Sequence, residues 1–318
     1  SPSRGLGDVY KRQALHLGRG VAAMTESLTD GVTLGIYEKA LVSNPLATDD
    51  DWRRFLNQVP EAGFSFVDLS VDESEERMAR LGWDQRRRRM VRHCAEAAET
   101  AIGGVCLSVH RRIGPGSADP AVRQRAREVM GEGLQLCHDL GAPVLQVAGY
   151  YCYYEQMNDH AEQWYTDLLL DAVPMAARLG VVMGIENVDG TDVTSIRKAM
   201  EFVKLADSPY LQVYPDLGNI AEQQLDVVTE LEAGRGHMVA IHVKDVRPGE
   251  PRRVPMGEGT VDWDESFAVL AEQGWRGRMM IEMWNDDAPD SNTRSASARQ
   301  FIEEHLRTAG ILVRRALS

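Results

Sequence analysis

The chain has 318 residues, 43% hydrophobic and 26% charged, with a formal net charge of −13. That size and balance suit a globular domain with a sizeable core. The acidic surplus argues against nonspecific binding to nucleic acid or an anionic membrane, and no apolar run approaches the roughly 20 residues that span a bilayer.

Residues 1–23 are expected to be separate from the fold. Asp8-Val9-Tyr10-Lys11-Arg12-Gln13 is encoded by one reading frame of a common transposon-end sequencing adapter, so this stretch reads as a non-native leader ahead of Met24. Arg4, Lys11, Arg12 and Arg19 against Asp8 give it +3, and removing that from −13 leaves −16. Cys94, Cys106, Cys137 and Cys152 show no CxxC spacing. They are expected to be free buried thiols of a cytoplasmic protein, not a disulfide framework.

From Val32 onward, strand-like and helix-like segments alternate. The first four strands are expected in VTLGIY (32–37), FSFVDLSV (64–71), GVCLSVH (104–110) and PVLQVAG (143–149). Four more follow in VVMGIEN, LQVYPD, MVAIHVKD and RMMIEMW. Helical spacing covers 84–100, 120–140, 159–179 and 192–206, with a last helix around 298–308. The arginines at 86–89 read as the wet face of the first of these. Several helices run into glycine before the next strand, at Gly63, Gly141, Gly180 and Gly274. Strands apolar on both faces belong to parallel sheets covered by helices. Eight such units in about 280 residues predict a single-domain (β/α)8 barrel. The rival, a doubly wound open sheet, lacks a GxGxxG after its first strand.

Each of the last four strands ends on a metal-ligand type: Glu186, Asp216, His242 and Glu282, spaced by 30, 26 and 40 residues. One βα unit is about that long, so the four converge on one mouth of a barrel. Singly, each has a plainer role. Asp216 suits an Asx-type turn, and His242 suits a hydrogen-bonded core histidine. Together, three carboxylates and an imidazole make a mainly hard-oxygen site for one divalent ion, with Zn2+ or Mn2+ favoured over Mg2+ or Co2+.

The segments GIYEKAL (35–41), SVDESEER (70–77), LSVHRR (107–112), VYPDLGN (213–219), HVKDVRPG (242–249), VPMGEGTVD (254–262) and IEMW (281–284) resemble the L-ribulose-5-phosphate 3-epimerase family of sugar-phosphate TIM barrels. The resemblance implies an isomerase that interconverts L-ribulose 5-phosphate and L-xylulose 5-phosphate in bacterial use of L-ascorbate. It implies that Glu186, Asp216, His242 and Glu282 hold the metal, and that Glu186 and Glu282 are also the acid/base pair. In such chemistry the C2 carbonyl acidifies the C3 proton through a cis-enediolate. Inversion then needs one group to remove the proton and another to return it on the opposite face.

Further residues at the same mouth are expected to hold sugar hydroxyls and phosphate: Glu73, His110, Arg111, Asn219, Lys244 and Glu258, the last beside Arg252 and Arg253. Tyr150, Tyr151, Tyr153 and Tyr154 suit either a wall of the site or the contact of a homodimer. The partner is a small ketose phosphate, with no nucleic acid and no membrane. A hexulose-6-phosphate isomerase or another ketose epimerase is the neighbouring alternative. An abasic-site endonuclease is the alternative of a different class, disfavoured by few histidines and the acidic charge.

Overall fold

A computed structural model describes residues 31–314. The expected leader, its junction at Met24 and residues 315–318 lie outside the described residues. The strands are β1 (Val32–Tyr37), β2 (Phe66–Ser70), β3 (Ala101–Leu107), β4 (Val144–Ala148), β5 (Val182–Glu186), β6 (Leu211–Val213) and β7 (Ile241–Val243). A short hairpin follows, β8 (Asp245–Arg247) and β9 (Glu250–Val254), then β10 (Arg278–Ile281) and β11 (Val313–Arg314).

Eight of them lie side by side in the order β6-β5-β4-β3-β2-β1-β10-β7, and their pairings are parallel. The ring closes between β6 and β7 through parallel bridges at Val213–Met238 and Asp216–His242. The expected (β/α)8 barrel is therefore the fold. Every residue of β2, β4 and β5 is buried, as strands covered by the barrel lumen and by helices must be.

The helices are α1 (Asp49–Glu61), α2 (Glu75–Met78), α3 (Gln85–Ala97), α4 (Pro120–Leu140), α5 (Ala161–Leu179), α6 (Ile196–Ala206), α7 (Leu217–Glu222), α8 (Val227–Ala233), α9 (Trp263–Glu272) and α10 (Ser291–Thr308). Local sequence sets their ends. Thr48 and Asp51 form a reciprocal capping box on α1. Asp119 caps α4, whose first residue is Pro120. Gly141 and Gly180 end α4 and α5 at φ +75° and +68°, a conformation that costs other residues about 1 kcal/mol or more.

Three departures have physical causes. The last helix starts at Ser291, not 298, because its first turns are polar and only Ser291, Ser295 and Ala298 face inward there. Among the arginines at 86–89, Arg88 is buried, donating to Asp139 at 2.8 Å and to the Leu81 carbonyl at 2.8 Å, while Arg86 and Arg89 stay exposed. The hairpin β8–β9 was not foreseen, since its strands are short and mostly polar.

The floor of the barrel is packed. Phe66 fills it, and a Cβ at Gly35 or Gly103 would lie 2.2 Å from the Phe66 ring. The Arg278 guanidinium covers that ring at 5.7 Å. At the opposite, C-terminal mouth the described residues leave a cleft.

Candidate active site

Glu186 is the last residue of β5, and Asp216 lies just beyond β6 as the N-cap of α7. His242 is the middle residue of β7, and Glu282 follows β10 with its N–H donating to the Val243 carbonyl. One ligand atom from each of the four lies within 4.8 Å of all the others. His242 Nδ1 is 2.7 Å from Glu186 Oε1 and 3.9 Å from Asp216 Oδ2. The second Glu186 oxygen accepts Gln146 Nε2 at 2.5 Å.

Asp216 makes the turn expected of it and leaves its second oxygen at the centre. Its Oδ1 accepts the Asn219 N–H at 2.9 Å, as a helix cap does. Its Oδ2 has no hydrogen bond, and neither does Glu282 Oε2, although both are buried. Lys244 Nζ stands 3.0 Å from the first and 3.4 Å from the second, off the hydrogen-bonding direction. Asn187 fixes the backbone here. Its Oδ1 accepts the Asp216 N–H at 2.8 Å and its Nδ2 donates to the Asp216 carbonyl at 3.1 Å.

The electrostatics follow from crowding acids in a dry place. Burial, opposed by Lys244 and aided by Glu282 and Glu186, pushes the Asp216 carboxyl up to about 7. Burial alone would lower His242, but the adjacent Glu186 charge outweighs it and raises the imidazole to about 9. Burial would likewise raise Glu282, yet the Lys244 ammonium holds it below its ordinary value. Such opposed shifts, together with unpaired acceptor atoms, mark a centre short of positive charge. The donor set and its orphaned oxygens fit a divalent cation.

Around this centre is an open cleft of about 620 Å³. Arg111, Asn219 and Lys244 line it, as expected from the sequence. Glu73 does not line the cleft; it lies behind Arg111 at 3.8 Å and accepts the Tyr154 hydroxyl at 3.2 Å.

Two further expected contacts, His110 and Glu258, are also placed elsewhere. His110 is fully buried with Nε2 3.3 Å from the Ala126 carbonyl of α4, and burial lowers it to about 4. The cause is local: β3 stops at Leu107, and a 3-10 turn over Ser108–Arg111 sends His110 outward and Arg111 into the cleft. Glu258 is exposed, paired with Arg247 at 2.9 Å. Its loop curls around Asp245, whose carboxylate accepts the N–H groups of Gly257 and Gly259 at 2.9 and 3.0 Å. A Cβ at Gly259 would meet that carboxylate at 2.0 Å, so glycines face inward and Glu258 between them faces out.

The cleft also contains residues that the sequence reading passed over. Lys39 follows β1 and pairs with Asp72. Gln146 projects from β4. Asp189 joins the Tyr150 hydroxyl to Arg252, the latter at 2.8 Å. Tyr37 and Trp284 pack edge to face, 5.9 Å apart. The signal available for Lys39 was its position in GIYEKAL, directly past a strand exit. For Gln146 it was a lone amide within an apolar strand.

Residues 56–305 match the family model described as xylose isomerase-like TIM barrel, and the chain is an α/β-barrel enzyme of that class. L-ribulose-5-phosphate 3-epimerase UlaE of Salmonella heidelberg (strain SL476) is 39% identical over 285 residues, covering 90% of this chain and 99% of that one. The protein of the same description from Escherichia coli O157:H7 (strain EC4115 / EHEC) is 38% identical over the same shares. The chain belongs to the L-ribulose-5-phosphate 3-epimerase family, and it is an isomerase of the epimerase type. Among solved structures, an L-ribulose 3-epimerase shares the fold with TM-score 0.74 and 17% identity, over 88% of this chain and 96% of that one. D-psicose 3-epimerase from Clostridium cellulolyticum H10, with D-tagatose, does so with TM-score 0.72 and 16% identity, over 86% and 99%.

Proposed function

We propose that the protein interconverts L-ribulose 5-phosphate and L-xylulose 5-phosphate by moving the C3 proton. In this reading Glu186 and Glu282 are the acid/base pair, and with Asp216 and His242 they hold one divalent ion, Zn2+ or Mn2+ before Mg2+ or Co2+. The observation that carries it is the convergence of these four donors at one point of the mouth, with two buried oxygens that no hydrogen bond satisfies and that share the single Lys244 ammonium. The ion, when bound, withdraws electron density from the substrate carbonyl and so acidifies the neighbouring C–H.

The rest falls to the chain's own side chains. Glu186 is steered from both oxygens, by Gln146 and by His242, which fixes the direction of its lone pairs toward the cleft. Glu282 stands beside the Lys244 ammonium, which favours the ionised form a base needs. One glutamate takes the C3 proton and the other returns a proton to the opposite face, and the roles exchange with reaction direction. Asn219 Oδ1, buried and free of hydrogen bonds at the cleft, is an acceptor for a sugar hydroxyl. Arg111 supports an anionic end of the substrate: its nearest carboxylate is 3.8 Å away and its Nε has no partner. Lys39 and Arg252 add positive charge but are already paired with Asp72 and Asp189.

Four free, buried cysteines are compatible with a reducing cytoplasm, and among the described residues no helix is long and apolar enough to cross a membrane. The test is incubation of the metal-loaded protein with L-ribulose 5-phosphate in D2O. Deuterium at C3 of L-xylulose 5-phosphate is the expected result; label at C1 would assign an aldose–ketose isomerase instead. Glu186→Gln and Glu282→Gln should each abolish C3 exchange, and exchange persisting in both variants would refute the two-glutamate assignment.

A further inference from the structure

Beneath the four donors, the lumen holds an acid that the proposed chemistry does not use. Asp68 projects inward from the middle of β2 and is 2% exposed. Its Oδ2 accepts the Tyr214 hydroxyl at 3.0 Å, while its Oδ1 has no hydrogen-bond partner. Burial raises its pKa, an effect that the nearby His242 opposes. A carboxylate left half-satisfied in a packed core is costly, so it calls for a reason.

The backbone is shaped around this group. The pairing of β2 with β3 shifts register between Val67 and Asp68, leaving Gly103 as the extra residue on β3. A Cβ at Gly103 would lie 2.6 Å from Asp68 Oδ1, and one at Gly104 3.1 Å from Oδ2. A bulge with two glycines thus clears the space that the carboxylate occupies, as bulges beside active sites commonly re-aim a side chain.

The imidazole of His242 is the other half of the relationship. Its Nδ1 faces Glu186 and Asp216, whereas its Nε2 is buried and unpartnered. A ring nitrogen of His242, an oxygen of Asp68 and the sulfur of Cys106 lie within 4.8 Å of one another. The Tyr214 ring that donates to Asp68 also lies against the imidazole, with centroids 4.3 Å apart. Two orphaned polar atoms, one a potential donor and one an acceptor, therefore share a small volume with a common tyrosine wall.

We propose that Asp68 is the positioning residue for His242: its free Oδ1 takes the Nε2 proton, directly or through one water, so that the Nδ1 lone pair is aimed at the ion. Histidines that bind metals generally give their other ring N–H to a carboxylate or carbonyl, which fixes the tautomer and strengthens the ligand. The inference rests on the metal-centre reading above, and it assigns a role to a residue that does not line the cleft.

The test compares Zn2+ and Mn2+ affinity of the wild type, Asp68→Asn, Asp68→Leu and Tyr214→Phe, by competition with a chromophoric chelator after apo-protein preparation. It is paired with 15N imidazole spectra of the Zn2+-loaded proteins. Wild type should bind one ion per chain with a hydrogen-bonded Nε2 proton on His242. Asp68→Leu should bind about 10–100-fold more weakly and lose that proton signal. Asp68→Asn keeps an acceptor oxygen without the charge and should fall between; being near-isosteric, it also carries the test if the leucine variant fails to fold. Tyr214→Phe leaves Oδ1 in place and should weaken binding less than Asp68→Leu.

Unchanged affinity and an unchanged His242 tautomer in a folded Asp68 variant would overturn the inference while leaving the metal centre intact. Two ions per wild-type chain, one of them lost in Asp68→Asn, would also overturn it, by making Asp68, Cys106 and His242 an ion site. A wild type that binds neither ion would remove the metal centre and the inference with it.

Discussion

The Gln146 amide reaches across from β4 and donates to Glu186 Oε2 at 2.5 Å, while the other oxygen of that carboxylate faces His242. One strand thus orients the carboxylate of its neighbour, the group proposed above to move the proton. A hydrogen bond to a charged acceptor is worth about 1.5–3 kcal/mol, so Gln146→Leu should cut kcat by roughly 10–100-fold with little change in melting temperature. Gln146→Glu should be worse, because it sets a second carboxylate against the first. Steady-state kinetics beside thermal melts check both.

A substitution at Arg111 should separate recognition from chemistry. Its buried Nε has no partner and its guanidinium sits in the cleft. Arg111→Met should lower kcat/KM for the phosphorylated ketose by about 10–100-fold, mostly through KM, since one charge-assisted contact is lost. Turnover of unphosphorylated L-ribulose should be unaffected. An equal loss on both sugars would assign Arg111 to the reaction itself.

Two of the residues placed outside the cleft give the converse prediction. Glu258 makes an exposed ion pair with Arg247, and such pairs contribute about 0–1 kcal/mol. Glu258→Ala should leave kcat and KM within about twofold of wild type. His110→Leu should act on the melting temperature and not on turnover, because its ring meets α4 and not the substrate.

Acid should loosen the fold through the β1 and β2 exits. Glu38 is fully buried, where desolvation would raise its carboxyl, but Arg80 on two hydrogen bonds and Arg77 on a third outweigh that and lower it. Asp72 is drawn down to about 2: burial would raise it, and the Lys39 ammonium overcomes that. Both folded values lie below the ordinary 4.5 and 3.8. Their stabilisation is therefore complete above pH 4.5 and drains away as pH falls through the folded values. Glu38→Gln should destabilise the protein at pH 7 by about 3–5 kcal/mol, because Arg80 stays buried without its partner. The gap to wild type should narrow below pH 4.5. Denaturant unfolding at pH 3 to 7 measures it, and a gap independent of pH would contradict the assignment.

The barrel and the four strand-exit donors were legible because Val, Ile, Leu and Met runs break on a single polar residue at Glu186, Asp216, His242 and Glu282, and strand direction does the rest. Helix ends were legible where capping chemistry is local, as at Gly141 and Gly180. What stayed hidden depends on where the chain turns next. No residue type announces that a 3-10 turn rotates His110 away while admitting Arg111, or that Asp245 gathers the glycines of the following loop and turns Glu258 outward. Gln146 and Asp68 are polar residues inside apolar strands; their inward direction appears only once the register with β5 and β3 is known.

The seam between β6 and β7 has a mechanical consequence. These strands are three residues each, and few backbone hydrogen bonds hold them together, among them His242 N–H to Pro215 at 2.7 Å and the reciprocal pair of Val213 with His237 and Val239. Asp216 and His242 face each other across that boundary. The barrel should therefore open first at this seam, and a cation gripped by both Asp216 and His242 would act as the clasp of the ring. Amide deuterium uptake at Val213, Val239 and His242 should outpace that of β2 to β4, and should slow when the clasp is fastened.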